Sequence, residues 1–157
     1  MPLKTIISAV VLLLAIGGVV AVFVGQGDGG PAAANAEGLP DDGVVVYYFH
    51  GFKRCQTCQK MERLADEAVA AAHPDLVRRG RVVFRSVNLE TDATRHFVDD
   101  YQLSSKVVVI SERRDGREVS WRRLDEVWDR IADDADYRQY IAGNVTECVR
   151  EMGLVSS

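Results

Sequence analysis

From Val44 to Phe49 the chain carries six consecutive β-branched or aromatic residues, Val-Val-Val-Tyr-Tyr-Phe, a run that reads as a strand buried on both faces. A short loop follows. From Cys55 onward the apolar residues change period: Met61, Leu64, Ala65, Ala68 and Ala72 fall on one face of a helix, with Lys60, Glu62, Arg63, Asp66 and Glu67 on the others. His73-Pro74-Asp75 ends that helix, because the residue before a proline is steered away from helical torsions. Val82 to Asn88 reads as a second strand, introduced by Gly80 and followed by Thr91-Asp92. The next expected helix runs from about Asp92 to Tyr101, capped by Thr91 or Asp92 and packed through Phe97, Val98 and Tyr101. Lys106 to Ile110 and Glu118 to Arg122 read as strands joined through the turn signal Asp115-Gly116, hence an antiparallel hairpin. Leu124, Val127, Trp128 and Ile131 describe a short helix. After a break at Asp133 to Asp136, a last helix puts Ile141, Val145, Cys148 and Met152 on its inward face. The expected order is strand–helix–strand–helix–strand–strand–helix, with two parallel crossovers before the hairpin. Such an order folds economically as an α/β domain, a mixed central sheet of about four strands with helices on both faces.

The residues before Val44 follow a different pattern. Met1 to Lys4 is a short, positively charged head, and Thr5 to Val24 is apolar except for Ser8, Gly17 and Gly18. About twenty such residues suffice to cross a bilayer as a helix, and the positive head favours a cytoplasmic N-terminus, which puts the rest of the chain on the extracytoplasmic, periplasmic side. The alternative is a signal peptide cleaved near Ala36, where Ala34-Asn35-Ala36 has the small-x-small form, leaving a secreted or periplasmic protein; the length of the apolar run favours the retained anchor. Gly25 to Gly43 is rich in glycine and poor in large apolar residues, as a flexible tether is, and so many residues of such coil span roughly 25 Å between their ends. The division is therefore a head at 1–4, a membrane span at 5–24, a tether at 25–43 and a domain at 44–157.

Composition narrows the function. A net charge of −4 with 27% charged residues argues against a nucleic-acid partner. Three cysteines in the chain are too few for a disulfide-scaffolded module. Two of them, Cys55 and Cys58, open the helix that follows the first strand. There the unpaired N–H groups and the positive end of the helix dipole stabilise a thiolate. Cys55 is the natural nucleophile, and Cys58, one helical turn along, is placed to close a disulfide onto it. Lys53 and Arg54 add positive charge just upstream, Arg54 being the nearer; His50, at the strand end, is either a proton acceptor or cation for the thiolate or a hydrogen-bonded residue of the loop.

Cys-x-x-Cys after the first strand and at the head of its helix, within this element order, resembles the thioredoxin-like superfamily. The stretches Tyr47 to Cys58 and Phe97 to Leu103 resemble more narrowly the ArsF-type nitrophenyl compound nitroreductase subunits. The first resemblance implies thiol–disulfide exchange, with Cys55 attacking a disulfide and Cys58 resolving the mixed disulfide, and the expected anchor makes the partners protein thiols or disulfides of extracytoplasmic or membrane proteins, with no bound cofactor called for. The second implies electron transfer to or from another subunit. The fold also implies a substrate loop before the third strand, here Lys106 and Val107; thioredoxins place a cis-proline where this chain has Val107. A non-proline cis bond costs about 3–4 kcal/mol, so a trans bond and a differently shaped loop are expected.

Three readings of the cysteine pair stay open: redox exchange, an inert staple, and a Cu(I) or zinc site formed by Cys55, Cys58 and His50. A non-catalytic, partner-recruiting subunit is a further alternative. Cys148 reads as a small core residue, Trp121 and Trp128 as packing residues, and Asn144-Val145-Thr146 as an accidental match to a glycosylation acceptor.

Overall fold

The computed structural model describes residues 38–155, so the expected span at 5–24 and most of the expected tether lie outside the described residues. Among the described residues no helix is long and apolar enough to cross a membrane. The elements are β1 (Gly43–His50), α1 (Gln56–Ala72), α2 (Pro74–Arg78), β2 (Val82–Asn88), α3 (Phe97–Asp100), β3 (Val107–Arg114), β4 (Arg117–Leu124), α4 (Val127–Arg130) and α5 (Asp134–Glu151).

The four strands form one sheet in the order β2-β1-β3-β4. Every residue of β1 is buried, as its unbroken apolar run requires of a central strand covered on both faces. Alternate side chains of β1 go to opposite faces. Tyr48 turns to α1, where its hydroxyl donates to the Cys58 carbonyl at 2.8 Å. Tyr47 and Phe49 turn the other way and meet Phe97 and Tyr101, with ring centroids 5.3–6.2 Å apart. The first face is covered by α1 packed along α5, whose Ile141, Val145 and Cys148 are fully buried and Met152 nearly so, as their spacing predicts. The second face is covered more thinly, by the single turn of α3 and the aromatic side chains around it.

Two departures from the expected order concern the segment between β2 and β3. β2 is parallel to β1, as expected, but β3 is antiparallel to it, with Phe49 opposite Val107 and Gly43 opposite Arg113. Only one of the two crossovers is therefore parallel. The reason is length: an eight-residue strand runs about 26 Å, whereas the one helix in the connection has four residues and advances only about 6 Å. The chain turns over at the end of the sheet where β2 stops and enters β3 from there. The helix expected from Asp92 is confined to Phe97–Asp100. Before it lie turns in which the Thr94 hydroxyl bonds both the Asn88 carbonyl and the Thr91 hydroxyl, a side-chain alternative to the helical ladder.

Pro74 ends α1 and also starts α2, occupying the first turn, where its missing N–H costs nothing. The β3–β4 hairpin turns on Asp115 and Gly116, both with positive φ, 51° and 73°, the backbone that the Asp-Gly signal serves. Residues 38–42, grouped with the tether by composition, are bound to the domain. Arg85 donates to the Gly38 carbonyl at 2.9 Å, Arg113 to the Pro40 carbonyl at 3.1 Å, and the Gly116 N–H to the Asp41 carbonyl at 2.9 Å.

Candidate functional site

β1 delivers the chain to the site at His50, and the turn after it is tight. Gly51 lies so close to Glu90 that a Cβ would come within 2.6 Å of its carboxylate oxygen, and that carboxylate accepts the Phe52 N–H at 2.8 Å. Cys55 is the N-cap of α1, with extended torsions (φ −74°, ψ 163°) and its sulfur accepting the N–H of Cys58 at 3.2 Å. One of the N–H groups that a helix leaves unpaired at its start therefore points at the Cys55 sulfur.

Cys55 and Cys58 are joined as a disulfide, with their Cα atoms 5.1 Å apart, inside the range of about 4.4–6.8 Å that such bridges need. The two ends are not equivalent. Cys55 is exposed, whereas Cys58 is 1% exposed and sits over Tyr48. Burial pushes the Tyr48 phenol up to about 12, so it stays a neutral donor to the helix backbone.

The loop before β3 approaches the pair from the other side. The Lys106 ammonium lies 3.2 Å from the Cys58 sulfur and donates to the Lys53 carbonyl at 2.9 Å. The Lys106 carbonyl is in turn held at 2.8 Å by the indole N–H of Trp128, from α4. Val107, its neighbour in the expected substrate loop, is 2% exposed and begins the β3 ladder opposite Phe49, so it is Lys106 whose side chain reaches the sulfur. No cis peptide bond occurs among the described residues, which gives Lys106–Val107 the trans geometry expected where the proline is missing.

The three residues expected to tune or assist the pair take different places. Arg54 is bound to Glu62, and its guanidinium also reaches the His50 Nε2 at 3.4 Å, so its charge is already paired. With Nε2 accepting from Arg54, the His50 Nδ1–H donates to the Gly51 carbonyl at 2.9 Å, which fixes the tautomer. Lys53 contributes its main-chain carbonyl. The proposed ligand set of Cys55, Cys58 and His50 is not assembled: the sulfurs are bonded to each other, and both ring nitrogens of His50 are engaged elsewhere.

Cys148 is fully buried on α5, and burial pushes its thiol up to about 12, although Arg122 opposes the shift. Together with Glu112 and Glu151 it forms the single cluster of three metal-capable side chains among the described residues, but the Arg122 guanidinium lies within that cluster, 3.6 Å from Glu112 and 2.5 Å from Glu151. Val145 is buried within α5, which keeps Asn144-Val145-Thr146 helical, and the Asn144 amide donates to the Tyr140 carbonyl at 2.9 Å. Trp121 packs edge-on against Tyr101 at 5.3 Å. Trp128 is more than a packing residue because it holds the Lys106 loop, and the sequence signals that role only by its place after β4.

A parallel strand–helix–strand unit, an antiparallel hairpin, a closing helix and a cysteine pair at the head of the first helix make up a mixed α/β domain with the element order that the resemblance to the thioredoxin-like superfamily leads one to expect. No protein-family model matches the chain, and no curated protein matches it, so the narrower resemblance to nitroreductase subunits is not confirmed. Among solved structures the chain is similar to one described as the solution structure of a thioredoxin from Thermus thermophilus. The two are 24% identical over 64% of this chain and 77% of that one, with a TM-score of 0.37.

Proposed function

We propose that this domain is a thiol–disulfide oxidoreductase working through Cys55 and Cys58. The observation that carries the reading is the asymmetry of the bridge: an exposed sulfur at a helix N-terminus bonded to a buried one. An incoming thiolate can reach Cys55 but not Cys58. It forms a bond to the Cys55 sulfur while the Cys55–Cys58 bond breaks, and the electron pair leaves on Cys58. A second substrate thiolate then attacks the substrate sulfur of the mixed disulfide, and Cys55 departs as a thiolate stabilised by the Cys58 N–H and the helix terminus. Two electrons have passed to the site and the substrate holds a new disulfide. The reverse path, begun by the Cys55 thiolate, reduces a substrate disulfide.

The partners in this reading are protein thiols or disulfides at or beyond a membrane, with the apolar segment at 5–24 as the anchor and the domain on the periplasmic side. Service as the electron-passing subunit of a larger reductase is compatible with the same chemistry. The test is a Cys58→Ser chain, which lacks the resolving sulfur, incubated with a membrane preparation. Covalent adducts released by reductant and dependent on Cys55 are expected; a Cys58→Ser chain that traps no more than the Cys55→Ser, Cys58→Ser double variant overturns the reading.

A further inference from the structure

When the bridge opens, the electron pair lands on Cys58, the sulfur that is 1% exposed. An anion so deeply placed is strongly disfavoured unless something charged or hydrogen-bonding meets it. The Cys58 N–H cannot serve, since it points at the Cys55 sulfur. The cation nearest in sequence to the pair, Arg54, is bound to Glu62. What meets Cys58 is the Lys106 ammonium, at 3.2 Å, brought from a loop 48 residues away in the chain. Its position is fixed from two directions, by the Lys53 carbonyl on its ammonium and by the Trp128 indole on its carbonyl. Lysine holds its charge at the end of a flexible stem, so these fixings keep a mobile group at the reacting sulfur.

We propose that Lys106 is a catalytic residue, the charge partner of Cys58, and that it biases the site toward its reduced form so that the domain takes electrons from protein dithiols. This rests on the thiol–disulfide reading above and adds its direction. A hydrogen bond from a cation to a thiolate exists only once the disulfide has opened, so it stabilises the product of reduction and not the starting bridge. The substrate is a protein dithiol: it loses two electrons and two protons and leaves as a disulfide. The site takes both electrons and one proton, which goes to Cys55, while the second proton is released to solvent and Cys58 stays ionised beside Lys106; the pair returns to the disulfide by exchange with a partner disulfide of higher potential. Trp128 acts as a positioning residue through the loop it holds.

The test is equilibration of the full chain against a series of reduced and oxidised glutathione, for the wild type, Lys106→Met, Lys106→Gln and Lys106→Arg, with thermal midpoints recorded alongside. Loss of the charge in Lys106→Met and Lys106→Gln is expected to lower the reduced-to-oxidised ratio at a fixed glutathione poise about tenfold, a fall of about 30 mV in potential, with Lys106→Arg near the wild type. In the Cys55→Ser background, Lys106→Met should also move the onset of Cys58 thiolate absorbance to higher pH. If Lys106→Met and Lys106→Gln titrate at the wild-type poise, even with lowered thermal midpoints, Lys106 is structural and the proposal is overturned. If the wild-type pair does not change oxidation state anywhere in the series, the thiol–disulfide reading itself fails, a result distinct from the former.

Discussion

Cys58 and Cys148 are both buried cysteines on helices of the same sheet face, 1% and 0% exposed, and their surroundings differ. Cys58 lies in the first turn of α1, bonded to an exposed partner, with an ammonium at 3.2 Å. Cys148 lies near the far end of α5, where the Glu112 and Glu151 carboxylates are paired with the Arg122 guanidinium, and burial holds its thiol protonated. Burial alone thus separates neither residue from the other. What separates them is position along a helix and the charge brought against the sulfur, the two variables that control thiol reactivity generally.

The largest break in this comparison comes from deleting sulfurs. Cys55→Ser is expected to abolish exchange with a model protein disulfide. Cys148→Ala should leave the exchange rate at the wild-type value while lowering stability by about 1 kcal/mol through the small cavity it opens, as measured by denaturant unfolding. Loss of exchange in Cys148→Ala with the fold intact would contradict the assignment of Cys148 to the core. A sharper variant is Lys106→Glu, which replaces the cation beside Cys58 by a carboxylate. Stopped-flow reduction of its disulfide by a small dithiol should slow by roughly 10- to 100-fold, since a like charge disfavours the leaving thiolate.

Tyr48→Phe tests the floor beneath Cys58. Losing the hydroxyl that donates to the Cys58 carbonyl should cost about 1 kcal/mol by denaturant unfolding, with the cysteines still able to pair. A further expected effect concerns alkaline pH. The folded Cys148 thiol titrates at about 12, above its unfolded value, so the unfolded chain releases that proton first. The stability this contributes is complete below the unfolded thiol value of about 8.5 and is lost progressively as pH rises toward about 12. Unfolding midpoints of Cys148→Ala should therefore fall less steeply than those of the wild type over that window.

The parts of the site that lie close together in the chain were legible in the sequence. The run Val44 to Phe49, the period change at Cys55 and the proline at 74 each express a local preference that the fold obeys, and the cysteine spacing places both sulfurs at one helix head. Strand direction was not legible, because an apolar run such as Val107 to Ile110 reads the same whichever way it pairs; the length of the connecting helix decided it. Charge assignment failed for a related reason. Arg54 adjoins Cys55 in sequence, but Glu62, two turns along α1, pairs with it, while Lys106 arrives through the fold. The turns at 92–96 fall inside the expected helix because the apolar spacing of Phe97, Val98 and Tyr101 carries no record of what the Thr94 hydroxyl would bond.

The most direct test of the central claim is differential alkylation of the three cysteines in the native chain, before and after a mild dithiol reductant and after denaturation, with the labelled positions read by peptide mass. The account predicts no labelling of Cys55 or Cys58 before reduction, rapid labelling of Cys55 and slower labelling of Cys58 after it, and labelling of Cys148 only once the chain is unfolded. A pair that stays closed to the reductant under native conditions, or a Cys148 that labels as fast as Cys55, would contradict it.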